Sequence, residues 1–237
     1  MAIKIQSTAD IEFNGVKCIV FGGAGVGKTR LCATAPRPII ISAEEGLLSL
    51  TDVDCAFVEI KSLKDLDDAY KQLRSNDDYD TICLDSLSEI AEVLIHELKP
   101  QFKDARQAYA ALADAMIPML KRFRDIKGKN TVFTCKKIDV KDEESGVVTT
   151  ELFLPGNVLS NQIPYLVDEL FYMDVDRTGI PFLQTKPNRK AFSKDRSGAL
   201  DPKGEFASSK DGVPNLTNLF EKIRDKKENE KALLSKV

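Results

Sequence analysis

"VKCIVFGGAGVGKT", Val16 to Thr29, is an apolar run that stops at a glycine-rich turn, and "RLCATA" follows it with helix-forming character until Pro36 and Pro38. Its last eight residues fit G-x-x-x-x-G-K-[ST] at every fixed position, with a strand before and a helix after. In that context glycines let backbone N–H groups turn inward around phosphate oxygens. Gly22, Gly23, Ala24, Gly25, Val26, Gly27, Lys28, Thr29 and Arg30 are therefore the expected nucleotide-binding residues. Lys28 is expected to neutralise β and γ oxygens, and the Thr29 hydroxyl to ligate Mg²⁺. A turn that only joined strand to helix would not need the Lys-Thr pair.

Outward from this segment, strands and helices alternate. "PIIIS" and "CAFVEI" read as short buried strands, with one helical turn at "LLSL" between them. "SLKDLDDAYKQLRSN" spaces Leu63, Leu66, Ala69, Tyr70 and Leu73 along one helix face behind a Ser62 N-cap. "YDTICLD" is the next strand, and "SLSEIAEVLIHELK" a helix that ends at Pro100. A further helix is expected from about Asp104 to Asp125, bent at Pro118, followed by a buried strand "NTVFTC".

Alternation of this kind predicts an α/β fold, a mainly parallel sheet flanked by helices. After Lys136 the texture changes to short β pieces, "KKIDV", "VVTTELFL", "ELFYMDV" and "IPFLQTK", with turns at "EESG" and "DRTG". These predict antiparallel additions on the C-terminal side of the sheet. The polar, glycine- and proline-rich stretch from Asn188 to Pro214 reads as a long surface loop or mobile segment. Residues 1–212 form the expected core, and residues 213–237 a charged C-terminal helix or tail.

Bulk composition excludes several classes. Hydrophobic residues are 43% and charged residues 30% of 237, with no apolar run near the roughly 18 residues of a membrane span. The start lacks a basic, apolar leader, so a cytoplasmic location is expected, the host cytoplasm if the gene is phage-borne. Cys18, Cys32, Cys55, Cys83 and Cys135 are scattered and form no C-x-x-C pair, which suits reduced core thiols. A net charge of -3 argues against coating nucleic acid by overall positive charge.

Asp85 ends the apolar run "ICLD" and is the expected metal partner of Thr29. Ser86 follows it, where many nucleotide hydrolases place an adjacent glutamate. A neighbouring parallel strand, "PIIISAEEG", ends on Glu44 and Glu45. Parallel neighbours present their C-terminal ends at one edge of the sheet, so Glu44 is the candidate for the water-orienting group. Glu45 reads as a solvated turn residue, and Glu89, one helical turn beyond Asp85, is expected to point along the helix surface. His96, the single histidine, has no partner in these motifs and is assigned no chemistry.

Taken in order, "GGAGVGKT", "IIISAEEGL" and "ICLDS" resemble the RecA-like P-loop NTPases, where a glutamate after the second strand orients water. The resemblance implies ATP and Mg²⁺ as cofactors, ATP hydrolysis with Glu44 and Lys28 catalytic, and a homo-oligomer, ring or filament, with ATP at subunit interfaces. "NTVFTCKK", "PGNVLSNQIPYLVDELFYM" and "FSKDRSGAL" resemble the small phage-encoded ATPases of the Sak-type single-strand-annealing group. That branch implies DNA recombination and single-stranded DNA as a partner. Where relatives place a polar or histidine sensor after the "VFT" strand, this chain has Cys135, Lys136 and Lys137, with Lys136 the possible substitute.

"SKDRSG", Ser193 to Gly198, resembles the K-x-R element that such assemblies insert into a neighbour's ATP site. Lys194 and Arg196 would be its catalytic cations, a role that contributes about 10³ to 10⁵ in rate elsewhere. The surrounding stretch from Lys186 to Lys203 is locally basic with Phe192 as its one aromatic, so it reads equally as a DNA contact or a solvated loop. An alternative is a P-loop ATPase that assembles on a replication or packaging protein without touching DNA, which the acidic balance suits. A guanine-nucleotide switch fits less well: "KKID" lacks the amide of N-K-x-D.

Overall fold

The computed structural model describes residues 7–8, 11–43, 47–188, 190–201, 204–208, 210 and 212–234. In chain order the first half holds β1 (Lys17–Gly22), α1 (Lys28–Cys32), β2 (Pro38–Ser42), β3 (Ala56–Glu59), α2 (Leu63–Leu73), β4 (Thr81–Asp85), α3 (Leu87–Leu98) and α4 (Ala105–Arg124). Then come β5 (Asn130–Lys141), β6 (Val148–Phe153), α5 (Asn157–Gln162), β7 (Glu169–Val175), β8 (Pro181–Gln184), β9 (Lys194–Asp195) and α6 (Leu216–Leu234). Among the described residues the strands form one sheet in the order β3-β2-β4-β5-β1-β7-β8, with β6 on β5 and β9 on β7.

Every pairing from β3 across to β7 is parallel, while β6, β8 and β9 join antiparallel. This is the expected mainly parallel sheet with antiparallel additions from the C-terminal half. Its central strands are buried at every residue, KCIVFG in β1 and TICLD in β4, as strands covered on both faces must be. Alternation sorts their side chains: Ile19 and Phe21 pack with Leu66, Leu87 and Phe123 under α2, α3 and α4. Cys18 and Val20 face the other way, against Leu31 of α1 and Leu216, Leu219, Phe220 and Ile223 of α6.

Local chemistry starts the helices where the sequence expects. Ser62 accepts from Asp65 N ahead of α2, Ser86 from Glu89 N ahead of α3, and Asp104 from Arg106 N ahead of α4. The α4 helix runs on through Pro118 to Arg124. "NTVFTC" and "KKIDV" prove to be one strand: β5 pairs with β4 as far as Phe133 and with β1 as far as Lys136, then leaves the sheet centre as a hairpin with β6. The lysines that seemed to close the strand mark where it changes partners.

Within the stretch after Asn188, residues 191–200 are not a loose surface loop. Ala191, Ser193 and Leu200 are buried, and β9 pairs Asp195 with Glu169 and Lys194 with Leu170. Gln184 on β8 ties it down, its Nε2 donating to Lys186 O at 2.9 Å, Ala191 O at 3.2 Å and Ser193 Oγ at 3.1 Å. Internal polar pairing supplies the anchorage that composition alone hides. No helix among the described residues is long and apolar enough to cross a membrane.

Candidate nucleotide site

The turn after β1 is shaped by two glycines in different ways. A Cβ on Gly22 would run into the Met173 carbonyl of β7, so the chain leaves the sheet through a gap only glycine fits. Gly27 holds φ 101°, a left-handed conformation that begins α1 and sets Lys28 and Thr29 at its first turn. Lys28 Nζ reaches back over the turn, donating to Gly23 O at 2.7 Å and Gly22 O at 3.1 Å.

Asp85 ends β4, one strand removed from β1 because β5 lies between them. Thr29 Oγ1 donates to Asp85 Oδ2 at 2.6 Å, and Thr134 Oγ1 on β5 donates to Asp85 Oδ1. Asp85 is 6% exposed, so its charge is held by two hydroxyls at the floor of the cleft. The peptide bond from Asp85 to Ser86 is cis. Thr134 went unremarked in the sequence; the polar residue in the buried run "VFTC" was the available signal.

Lys28, Thr29 and Asp85 open onto one cavity of about 560 Å³, whose lining includes the other turn residues from Gly22 to Gly27 except Val26, with Arg30, Ser86, Glu89 and Lys136. Val26, expected at the site, is buried in the core instead. Arg30 sits at its rim, engaged with Asp52 at 2.8 and 3.0 Å and with Ser49 O at 2.7 Å. Glu89 departs from expectation: it lines the cavity, and its carboxylate pairs with Lys136. Lys136 also meets both Glu92 oxygens at 3.0 Å. Burial acts to lower the Lys136 pKa, but the Glu89 and Glu92 carboxylates outweigh it and hold the ammonium above its ordinary value.

Glu44 and Glu45 lie outside the described residues. Ser42, the last residue of β2, stands in register with Asp85. Lys194 and Arg196 are not brought to this cavity. Lys194 Nζ donates to Pro164 O at 2.7 Å and Val167 O at 2.6 Å, and Arg196 pairs with Asp168 at 3.1 Å. Both belong to the end of the sheet where β7 begins, level with Cys18 of β1 and not with Gly22. Lys186, counted in the basic stretch, is paired with the fully buried Asp195 side chain.

The donors at the cavity floor, a hydroxyl and a carboxylate, are the hard oxygens that suit Mg²⁺ among phosphates. Among the described residues no cluster of three or more His, Cys, Asp or Glu offers another metal site. Parallel sheet, glycine cradle, Lys28 and the Thr29–Asp85 pair define a P-loop site on a mainly parallel α/β sheet. A family model described as an AAA domain matches residues 14–197, and the chain belongs to that family. Among solved structures, the KaiC-like protein PH0186 from the hyperthermophilic archaeon Pyrococcus horikoshii OT3 is similar at 13% identity and a TM-score of 0.43, over 77% of this chain and 84% of that one. No curated protein matches.

Proposed function

We propose that the chain hydrolyses ATP with Mg²⁺ and uses the cycle in DNA recombination or single-strand annealing, as a phage-type relative of the Sak group. The observation that carries the ATPase reading is the Thr29–Asp85–Thr134 chain of hydroxyl and carboxylate beneath a P-loop cradle. Thr29 and Asp85 would hold Mg²⁺, which supplies charge neutralisation for the β and γ oxygens. Backbone N–H groups of the turn orient the phosphates, and Lys28 moves from its own loop carbonyls to the phosphate oxygens. Glu44, two residues beyond a Ser42 that is level with Asp85, orients the attacking water.

The DNA role rests on the resemblance of the later segments. Its test is ATP hydrolysis with and without single-stranded DNA, joined to filter binding of single strands across a salt series. Stimulated turnover and affinity that falls as salt rises are expected, since phosphate contacts release counterions. Salt-insensitive or absent DNA binding in the presence of ATP sinks it.

One observation favours a second reading, an ATPase that assembles on a replication or packaging protein. Lys186, Lys194 and Arg196 of the basic stretch are all engaged within the chain. Hydrolysis stimulated by a protein partner and indifferent to DNA would select it.

A further inference from the structure

At the edge of the sheet opposite the nucleotide, where β1 and β7 begin, lies a second cavity of about 1000 Å³, at the upper end of the range that small ligands occupy. It shares no residue with the phosphate cavity. Ile11 and Phe13, with Tyr165 between α5 and β7, give it apolar walls, and all three are exposed. Glu169, only 1% exposed, lines it from β7. Its Oε1 accepts from Ser197 N at 3.0 Å, but Oε2 has no hydrogen-bond partner among the described residues. A buried acceptor left in that state destabilises the chain until something meets it.

Charges around this cavity are unevenly paired. Arg124 is engaged with Asp125, Arg196 with Asp168 and Lys227 with Glu230. Lys17 Nζ is turned to the carbonyls of Ile126 and Lys129. Among the described residues three lining acids, Glu12, Glu169 and Glu228, are then left without a cation, against one lining cation, Lys231, without an acid. Asp195 and Asp168 add their charges at Glu169, so that carboxyl sits in a negative potential.

We propose that this cavity binds a linear aliphatic amine with two or more ammonium groups: one pairs with Glu169, the methylene stem lies along Phe13 and Tyr165, and another meets Glu12 or Glu228. Aromatic walls suit both parts of such a ligand, the stem through buried area and the ammonium through the ring quadrupole. The same acids repel phosphates and carboxylates. Burial, and after it Asp195, keeps the Glu169 carboxyl protonated up to about 8. An ammonium arriving near neutral pH therefore drives that proton out to solvent.

The experiment titrates the full chain with spermidine by calorimetry, in two buffers of unequal ionisation enthalpy, with Mg²⁺ present throughout to occupy the Thr29–Asp85 site. Saturable binding at a single site, with net proton release near neutral pH, is expected. Glu169→Gln should weaken it about tenfold or more and abolish the proton release, the loss of one charged contact. Glu228→Gln, on the surface of α6, should weaken it about twofold or more, which keeps the test independent of how Glu169→Gln folds. Glu143→Gln, in the turn of the β5–β6 hairpin, removes the same charge elsewhere and should leave affinity unchanged. Equal weakening by Glu143→Gln and Glu169→Gln overturns the inference, because general attraction to an acidic chain would then explain the binding. Absence of saturable binding overturns it outright. Tighter binding of lysine amide than of spermidine also overturns it, since the occupant would then be the side chain of a peptide.

Discussion

Thr29 Oγ1 donates to Asp85 Oδ2 at 2.6 Å, fastening the first turn of α1 to the end of β4 across the intervening strand β5. Thr134 holds the other carboxylate oxygen from β5 itself. Asp85→Asn should remove the charge and leave an amide that can face only one of these hydroxyls as an acceptor. Mg²⁺-dependent ATP hydrolysis is expected to fall by about 100-fold or more, by analogy with lost transition-state donors. The stability cost should be nearer 1 kcal/mol, one exchanged hydrogen bond. A magnesium titration of turnover, read beside a denaturant melt, checks both.

Glu44→Gln keeps size while replacing the carboxylate proposed to orient water with an amide. ATP affinity should stay within about twofold and hydrolysis should be lost, the signature of a group needed only in the transition state. Wild-type turnover in this variant would return the water-orienting role to another acid.

Gly22→Ala and Gly25→Ala separate two kinds of glycine. Alanine at Gly22 meets the Met173 carbonyl, so β1 and β7 must part, and overpacking of that kind costs about 1–3 kcal/mol. Gly25 has φ 73° and open space around it, so alanine there adds about 1–2 kcal/mol of backbone strain with no steric contact. Nucleotide binding should suffer in both. Displaced Phe21 and Tyr172 packing, seen as a changed tyrosine environment by near-ultraviolet circular dichroism, is expected only for Gly22→Ala, since those rings lie 5.4 Å apart on the two strands.

Stability should fall as pH rises from about 4.5 to about 8. Burial first, and the charge of Asp195 second, push the Glu169 carboxyl up to about 8, from an ordinary 4.5. In that window the folded chain holds a proton that the unfolded chain has released, so each rise in pH favours unfolding. Glu169 Oε2 is buried without a hydrogen-bond partner, the atom on which such a proton would sit. Glu169→Gln should flatten the melting temperature across the window, by about 2 °C or more at its upper end. Scans kept below pH 8 avoid Lys17, whose pKa burial lowers to about 8 and whose effect has the opposite sign. Parallel curves for variant and parent would refute the assignment.

Mixing Arg196→Ala with Lys28→Ala tests whether Arg196 acts on a neighbour. Each variant alone should be inactive, and the mixture should regain a fraction of the parental turnover at interfaces that combine an intact P-loop with an intact Arg196. No recovery at any ratio would leave Arg196 as the partner of Asp168.

The architecture was largely legible in the sequence, and the site only in part. Fixed spacing exposed the P-loop because glycine, lysine and hydroxyl each meet a separate demand of a phosphate. Asp85 was legible as the charge that ends a fully apolar run. Thr134 was not, since its role depends on β5 lying between β4 and β1, a long-range fact absent from local pattern. Glu89 was misread for a similar reason: helix periodicity gives its angle, but Lys136 on β5 gives its partner. The stretch after Asn188 reads as loose if its polar residues are taken as solvated, whereas Ser193 and Asp195 make their hydrogen bonds inside the fold.

The strand β9 gives the molecule a direction. Asp195 lies level with the start of β1, four residues and about 13 Å from the glycine turn at its far end. Two copies related by a two-fold axis can bring those unlike ends together only with their strands antiparallel, and each such contact then occurs twice in the pair. Copies that all point the same way bring those ends together by a heterologous joint instead. Such a joint never satisfies itself in a pair. It closes only as a ring or continues as a helix, and the end subunit of any open row carries one nucleotide cleft that no neighbour completes.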